Sequence, residues 1–390
     1  MAGSLSARPW LPPPTQTIRK IDPMPLKHMQ EYRDPGISRK IVERIKEISQ
    51  KQIRLMEVCG THTTSIFRNG IRSLLPETIS LLSGPGCPVC VTAQNEIDAF
   101  IDLSKFNDVI ITTFGDLMRV PGTHSSLQNQ RANGRDVRMV YSTFDALEIA
   151  RKNPEKKVVF LGVGFETTAP TIAASIITAN EMNLDNYFVF SAHKVLPPAL
   201  FTLMESGNTK IDGFLLPGHV SVIIGTKGYQ PFFETHQVPC VVAGFEPVDI
   251  LQSILMLVEQ IETGKPKLAN GYQRAVTFDG NPKAQAIMQE VFDTADADWR
   301  GIGTIPESGL YIRKKFASFD AQKAFNVHVP ETEDPKGCIC GQVLTGIKMP
   351  TQCPLYKKTC TPTDPVGPCM VSSEGTCAAY YRYYNILNAD

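Results

Sequence analysis

Seven short apolar runs recur along the chain, each ending in a glycine- or proline-rich turn and then a helical pattern. "IRLMEV" leads into "CGTHTTS", "TISLLS" into "GPGCPVC", "DVIITT" into "FGD" and "KVVFLGV" into "GFETTAP". "NYFVFS" leads into "AHKVLPP", "DGFLLP" into "GHVS" and "VPCVVA" into "GFEP". Apolar residues at consecutive rather than alternate positions mark strands buried on both faces, so the pattern predicts parallel βαβ units. Helix boundaries are also visible. Thr168 precedes Pro170 at one start, and Pro247 opens "PVDILQSILMLVEQIET", which Gly264 ends.

Two stretches echo each other in order and spacing: "EVCGTHTTS" with "GVGFETTAP", and "LLSGPGCP" with "LLPGHVSV". The expected fold class is α/β. Two related parallel-sheet, Rossmann-like lobes, over residues 25–150 and 151–265, flank a cleft, with segments free to exchange between them. A proline-rich tail (1–24) precedes the lobes, and an irregular domain (266–390) follows, including "WRGIGTIPESGLYIRKKF".

Composition narrows the function classes. The chain has 390 residues, 42% hydrophobic and 20% charged, as in an ordinary globular protein. Lys plus Arg and Asp plus Glu both number 39, which argues against a broad nucleic-acid surface. No apolar run approaches the roughly 18 residues of a membrane helix, and the first residues lack the apolar stretch of a secretory signal. A cytoplasmic location is expected. In that reducing compartment, ten cysteines point to metal ligands or redox thiols rather than structural disulfides.

The chemistry-bearing residues fall just after strands. Cys59, His62, Cys87, Cys90, Glu166, His193 and His219 all stand there, and parallel sheets bind ligands beyond the carboxyl ends of their strands. Cys59 sits where a strand gives way to a helix, a position expected to lower its thiol pKa from about 8.5. Cys87 and Cys90 form a C-x-x-C in a Gly/Pro turn, suited to holding iron or to closing a disulfide and releasing two electrons. Glu166 is open to a ligand role or to bonding the N–H groups of its own turn. Cys240, amid apolar neighbours, reads as a buried small hydrophobe.

Six cysteines lie within residues 338–377, in a segment rich in Gly, Pro and Thr. Such a segment has little core of its own and needs a staple. Cys338, Cys353, Cys360 and Cys377 are separated by 14, 6 and 16 residues, without the short paired corners usual for zinc. Four thiolates on loops suit an iron–sulfur cluster. Spacing alone leaves Cys340 open as a substitute for Cys338, and Cys369 is left over.

Taken together, "CGTHT", "GPGCPVC", "GFETTAPT", "LPGHVS" and the C-x14-C-x6-C-x16-C tail resemble the HypD family of NiFe-hydrogenase maturation proteins, from about residue 25 to the end. The resemblance implies a scaffold on which iron acquires two cyanides and one carbon monoxide. It implies a small partner, HypC, that shares the iron; HypE as cyanide donor, supplied by HypF; and the hydrogenase large subunit as distant recipient. It implies a 4Fe–4S cluster on Cys338, Cys353, Cys360 and Cys377. It carries essential roles onto Cys59, Cys87, Cys90, His219 and Glu374 of "SSEGTC". His62 is expected to orient Cys59. If the dithiol communicates with the cluster, the tail must fold back over the mouth of the cleft. The rival readings are a thiol–disulfide oxidoreductase using Cys87 and Cys90, and a zinc-stapled binding module. No phosphate-binding glycine loop supports a nucleotide enzyme.

Overall fold

The computed structural model describes residues 31–327, 332 and 334–387. The expected 1–24 tail lies outside them. The strands are β1 (Ile53–Glu57), β2 (Ile79–Ser83), β3 (Val109–Thr113), β4 (Val137–Met139), β5 (Lys157–Gly162), β6 (Tyr187–Ser191), β7 (Gly213–Pro217), β8 (Cys240–Ala243), β9 (Leu268–Asn270), β10 (Phe292–Trp299) and β11 (Gly303–Ile312). The seven apolar runs are β1, β2, β3, β5, β6, β7 and β8. β3, β6 and β7 are buried at every position, as parallel strands covered on both faces must be.

Two parallel sheets result, ordered β2-β1-β7-β8-β9 and β4-β3-β5-β6. The α/β, two-lobed expectation therefore holds, but the lobes are not consecutive halves of the chain. The chain builds β1 and β2, crosses to build the whole second sheet, then returns to add β7, β8 and β9 to the first. A division at residue 150 runs through the second sheet, between β4 and β5. The internal echo holds for one pair only: "CGTHT" after β1 and "GFETT" after β5 stand in different sheets, whereas "GPGCP" after β2 and "PGHVS" after β7 belong to one.

Local signals hold where they were read. The helix Ala169–Glu181 has Thr168 as N-cap and Pro170 in its first turn. The helix Pro247–Thr263 starts on its proline, and Gly264 ends it at φ +65°, a conformation that favours glycine. That helix packs against β7, β8 and the helix Pro35–Ile48, and its apolar face forms one core with β1, β7 and β8.

β10 and β11, expected to be irregular, form an antiparallel hairpin with a bulge between Ala295 and Ala297. Its polar alternation, "FDTADADW", is that of a sheet with one solvated face, not of a buried parallel strand. The hairpin straps both crossings between the lobes. Trp299 bridges to Thr92 on the outward crossing, and Gly309 bridges to Lys194 on the return. Val195 N–H donates to the Ser308 carbonyl at 2.8 Å. Trp299 is 1% exposed, donates from its indole to Ser308 Oγ at 2.8 Å and stacks on Phe165 at 5.8 Å.

Beyond residue 334 the chain is mostly loops and one-turn helices, closed by the helix Thr376–Leu387, which packs on the helix Gly60–Arg68 through Phe67 and Tyr380, rings 4.5 Å apart. The tail thus folds back over the first lobe. Among the described residues, no helix is long and apolar enough to cross a membrane.

The hairpin's role can be tested through its anchor. Trp299→Ala should cost about 3–5 kcal/mol, the usual range for emptying a buried aromatic site, read as a lower urea midpoint. A change below about 1 kcal/mol would show that the strap does not depend on this ring.

Candidate functional site

β1 and β2 are neighbours and end level, with Glu57 paired to Ser83. The loops that leave them, "CGTHT" and "GPGCPVC", therefore start side by side. Gly60 N–H donates to the Gly86 carbonyl at 3.0 Å, and Gly84 N–H donates to the Glu57 carbonyl at 2.7 Å. A Cβ on Gly86 would overlap the backbone N and Cα of Cys59. Only glycine permits this approach, and through it Cys59 and the dithiol loop share one wall of the cleft.

Cys59 is the N-cap of the helix Gly60–Arg68, and Cys87 is the N-cap of the one-turn helix Pro88–Val91. Cys87 Sγ accepts from Cys90 N–H at 3.3 Å. Cys87 and Cys90 are paired as a disulfide, Cα atoms 5.2 Å apart, as the spacing anticipated.

Cys59 departs from expectation in its electrostatics. Burial pushes its thiol up to about 12, and the nearby Glu374 carboxylate pushes the same way. The helix N-terminus does not win, because Cys59 is 7% exposed and its neighbours are acidic. Directly beneath lies Glu57, not anticipated from the sequence. Its carboxylate accepts from Cys59 N–H at 3.2 Å and from Thr63 Oγ1 at 2.6 Å, and burial pushes it up to about 7. A carboxylate at the end of the strand, two residues before Cys59, was the available signal.

The tail covers this wall. Thr61 Oγ1 donates to Glu374 Oε1 at 2.6 Å, and Thr64 Oγ1 donates to the Ser373 carbonyl at 3.1 Å. From the second lobe, Asp116 Oδ2 accepts from Ser372 Oγ at 3.0 Å. The "SSEG" turn thus ties both lobes across the cleft mouth, and burial raises the Glu374 carboxyl.

His62 is fully buried, its Nε2 2.9 Å from the Gly244 carbonyl and 3.2 Å from that of Ala243, and burial pushes its imidazole down to about 4. Its Nδ1 has no partner. His219 is exposed, stacked 3.9 Å from the Phe245 ring, and partial burial lowers its imidazole. Beside them opens a polar cleft of about 410 Å³ lined by Thr61, Thr64, Arg68 and Phe245.

Two other residues take structural places. Glu166 Oε1 accepts from Leu196 N–H at 2.9 Å, at the start of the return helix, while Oε2 is buried without a partner. Burial pushes its carboxyl up to about 7. His193 bonds Ser191 Oγ at 3.0 Å and packs on the Gly162 and Gly164 backbone of its own lobe. Between the lobes, buried Tyr229 lies within electrostatic reach of Glu166, Cys59 and Cys240. Cys240 is fully buried, as read.

In the tail, all six cysteines line one small cavity of about 20 Å³, alongside Val343, Tyr356 and Met370. Cys340 and Cys369 stand 3.2 Å apart, sulfur to sulfur. Hydrogen bonds from Cys338 and Cys369, with the charge of Arg300, hold the Cys340 thiol well below its ordinary value. Buried Arg300 donates to the Thr92 carbonyl at 2.9 Å and to Gln94 Oε1 at 2.7 Å, just beyond the dithiol helix. The helix carrying Cys369, Pro368–Val371, packs on the helix carrying Cys90. Among the described residues, no three His, Cys, Asp or Glu groups converge to hold a single ion; the tail thiols surround a space instead.

The family model for HypD, described as the hydrogenase formation hypA family, matches residues 36–384. The chain belongs to the HypD family. It is 44% identical over 368 residues to the hydrogenase maturation factor HypD of Cupriavidus necator, covering 92% of this chain and 97% of that protein. It is 43% identical over 366 residues to the HypD of Escherichia coli, covering 92% and 98%. A putative hydrogenase expression/formation protein of Methanocaldococcus jannaschii is 43% identical over 360 residues, covering 92% and 100%. The family role is hydrogenase maturation, and the residues that build the cleft wall and the tail cavity lie inside the matched span.

Glu166 carries a pH prediction. Its carboxyl titrates near 7 when folded and near 4.3 in an unfolded chain. The folded state binds the proton more tightly, so this group's contribution is full below about pH 4 and is lost as pH rises to about 7. Glu166→Gln keeps an acceptor for Leu196 N–H and removes the ionisation. Its urea midpoint should gain on the wild type across that interval and run parallel above it. A constant offset at every pH would contradict the assignment.

Proposed function

We propose that this chain is the scaffold on which an iron ion acquires two cyanides and one carbon monoxide before delivery to a NiFe-hydrogenase, with Cys59, Cys87 and Cys90 as the thiols that meet the iron. The observation that carries the reading is the shared wall: two cysteine loops joined by the Gly60–Gly86 hydrogen bond and capped by Glu374. Iron carrying cyanide and carbonyl ligands favours soft, strongly donating partners, and thiolates are the softest side chains available. A Cys59 thiol held up to about 12 keeps its proton until a metal displaces it. Two carboxyl groups, Glu57 and Glu374, stand beside it to receive that proton.

The tail fits a resident 4Fe–4S cluster. Six thiols line one cavity, and the family spacing assigns Cys338, Cys353, Cys360 and Cys377 as the ligands, with Cys340 and Cys369 beside them. Such a cluster supplies one-electron redox chemistry. The protein's part is to bring one wall of that cavity, the helix Pro368–Val371 carrying Cys369, against the helix Pro88–Val91 carrying Cys90. Thiol–disulfide exchange across that contact moves two electrons and two protons from one dithiol to one disulfide.

The partners in this reading are a HypC-type small chaperone that shares the iron and HypE as cyanide donor, with HypF upstream and the hydrogenase large subunit as final recipient. The setting is the cytosol, and the Cys87–Cys90 disulfide takes up two electrons and two protons before its sulfurs meet the iron. The disulfide between Cys87 and Cys90 also suits a simple thiol–disulfide oxidoreductase. That alternative gives no role to Cys59, Glu374 or the tail.

Infrared spectroscopy of the chain purified anaerobically with its small partner tests the reading, since cyanide and carbonyl stretches fall where protein does not absorb. Wild type should show those bands and carry about four cluster irons per chain. Cys59→Ala should keep the cluster and the partner and lose the bands. Bands that survive in Cys59→Ala would place the iron elsewhere.

A further inference from the structure

Phe245 lies in the "GFEP" turn after β8, outside every residue so far given a role. Its ring packs against two imidazoles, stacked on one and tilted to the other. The His62 ring lies 4.8 Å away at 31°, and the His219 ring lies 3.9 Å away at 26°. Tyr272 closes the edge of the cluster, 5.9 Å from Phe245 at 83°. The cluster is built in. A Cβ on Gly218 would lie 2.6 Å from the Ala243 carbonyl oxygen, 2.8 Å from the Tyr272 ring and 3.1 Å from the Phe245 ring, so glycine before His219 lets the Ala243 backbone and both rings close in on this turn. The turn is held from the first helix as well, by Ser65 Oγ donating to the Phe245 carbonyl at 2.7 Å.

The same turn determines which nitrogen of His62 carries the proton. Both groups that meet Nε2, the Ala243 and Gly244 carbonyls, can only accept. Nε2 is therefore the N–H, and Nδ1 is left as a lone pair. That Nδ1 is buried and has no partner, which is rare for a polar atom in a folded interior and points to a group that arrives later.

We infer that Phe245 is a positioning residue for the iron site, its ring packing against both His62 and His219 while its turn fixes His62 as the Nε2–H tautomer, with Nδ1 left as a free acceptor three residues from Cys59. This rests on the reading of Cys59 as an iron-binding thiol and adds the element that orients its histidine neighbours. An aromatic ring suits the task because imidazole stacks on it face to face, whereas an aliphatic side chain of equal volume fixes neither tilt nor rotation. Groups that orient a metal site from outside its ligand shell are typically worth 10–100-fold in metal affinity.

The test uses the full chain with its tail cluster intact, ¹⁵N-labelled histidine and ferrous iron as the probe under anaerobic conditions. The wild type should show His62 as the Nε2–H tautomer and bind ferrous iron in a manner that Cys59→Ala abolishes. Phe245→Met, which fills the volume without a ring, should mix the His62 tautomers and weaken iron binding at least about tenfold, with Phe245→Tyr restoring both. Phe245→Leu provides a second ring-free variant should Met prove unstable. A variant that loses only thermal stability, keeping the tautomer and the iron affinity, overturns the inference and leaves the function reading intact. A wild type with His62 protonated on Nδ1 overturns it as well. Iron binding that ignores Cys59 sinks the function reading instead, while the tautomer comparison still decides the role of Phe245.

Discussion

The organising contact of this molecule is the approach of the Gly86 backbone to that of Cys59. It exists because β1 and β2 are adjacent, parallel and in register to their last residues, and because position 86 has no side chain to hold the loops apart. One hydrogen bond, Gly60 N–H to the Gly86 carbonyl, then sets two cysteine loops against each other. Everything chemical in the first lobe is arranged on that contact. Glu57 reads the Cys59 backbone from below, Glu374 covers it from the tail, and His62 and Phe245 line the flank.

A wall shared by two loops and a tail needs its parts kept in place, and the topology supplies this. Because the second sheet is inserted between β2 and β7, the two crossings run side by side between the lobes. The β10–β11 hairpin bonds to both, at Thr92 and at Lys194 and Val195. Arg300, at the hairpin's turn, grips the carbonyl of Thr92 on the outward crossing and lies close enough to Cys340 to bias its thiol. The dithiol, the hairpin and the tail cavity are therefore one mechanical unit, and a change in sulfur chemistry at one end meets a rigid connection rather than a loose linker.

Much of this was legible in the sequence, for identifiable reasons. Continuous apolar runs gave seven strands because burial on both faces leaves no alternation to misread. The strand-end placement of Cys59, Cys87 and His219 followed from the same pattern. Strand order is not legible, since every parallel strand carries a similar signal and nothing local says which neighbour it pairs with; the sequence admits an exchange of segments between the lobes without saying which segments cross. β4 and β9, three residues each at sheet edges, were too short to register. The Cys59 thiol was misjudged because a helix N-terminus is visible in sequence while burial and the approach of Glu374, 315 residues further on, are not. Phe245, Tyr229 and the Cys340–Cys369 pair depend on such long-range approaches too.

The central claim, that the Gly86–Cys59 contact assembles the site, is tested most directly by amide hydrogen exchange on Gly86→Ala. The added methyl must displace the Cys59 backbone and release the Gly60 N–H. Exchange at residues 59–63 and 87–91 should accelerate by about tenfold or more, while β3, β5 and β6 of the second sheet keep their protection. Unchanged protection at Gly60 would contradict the account, because the two cysteine loops would then be held together by something other than this contact.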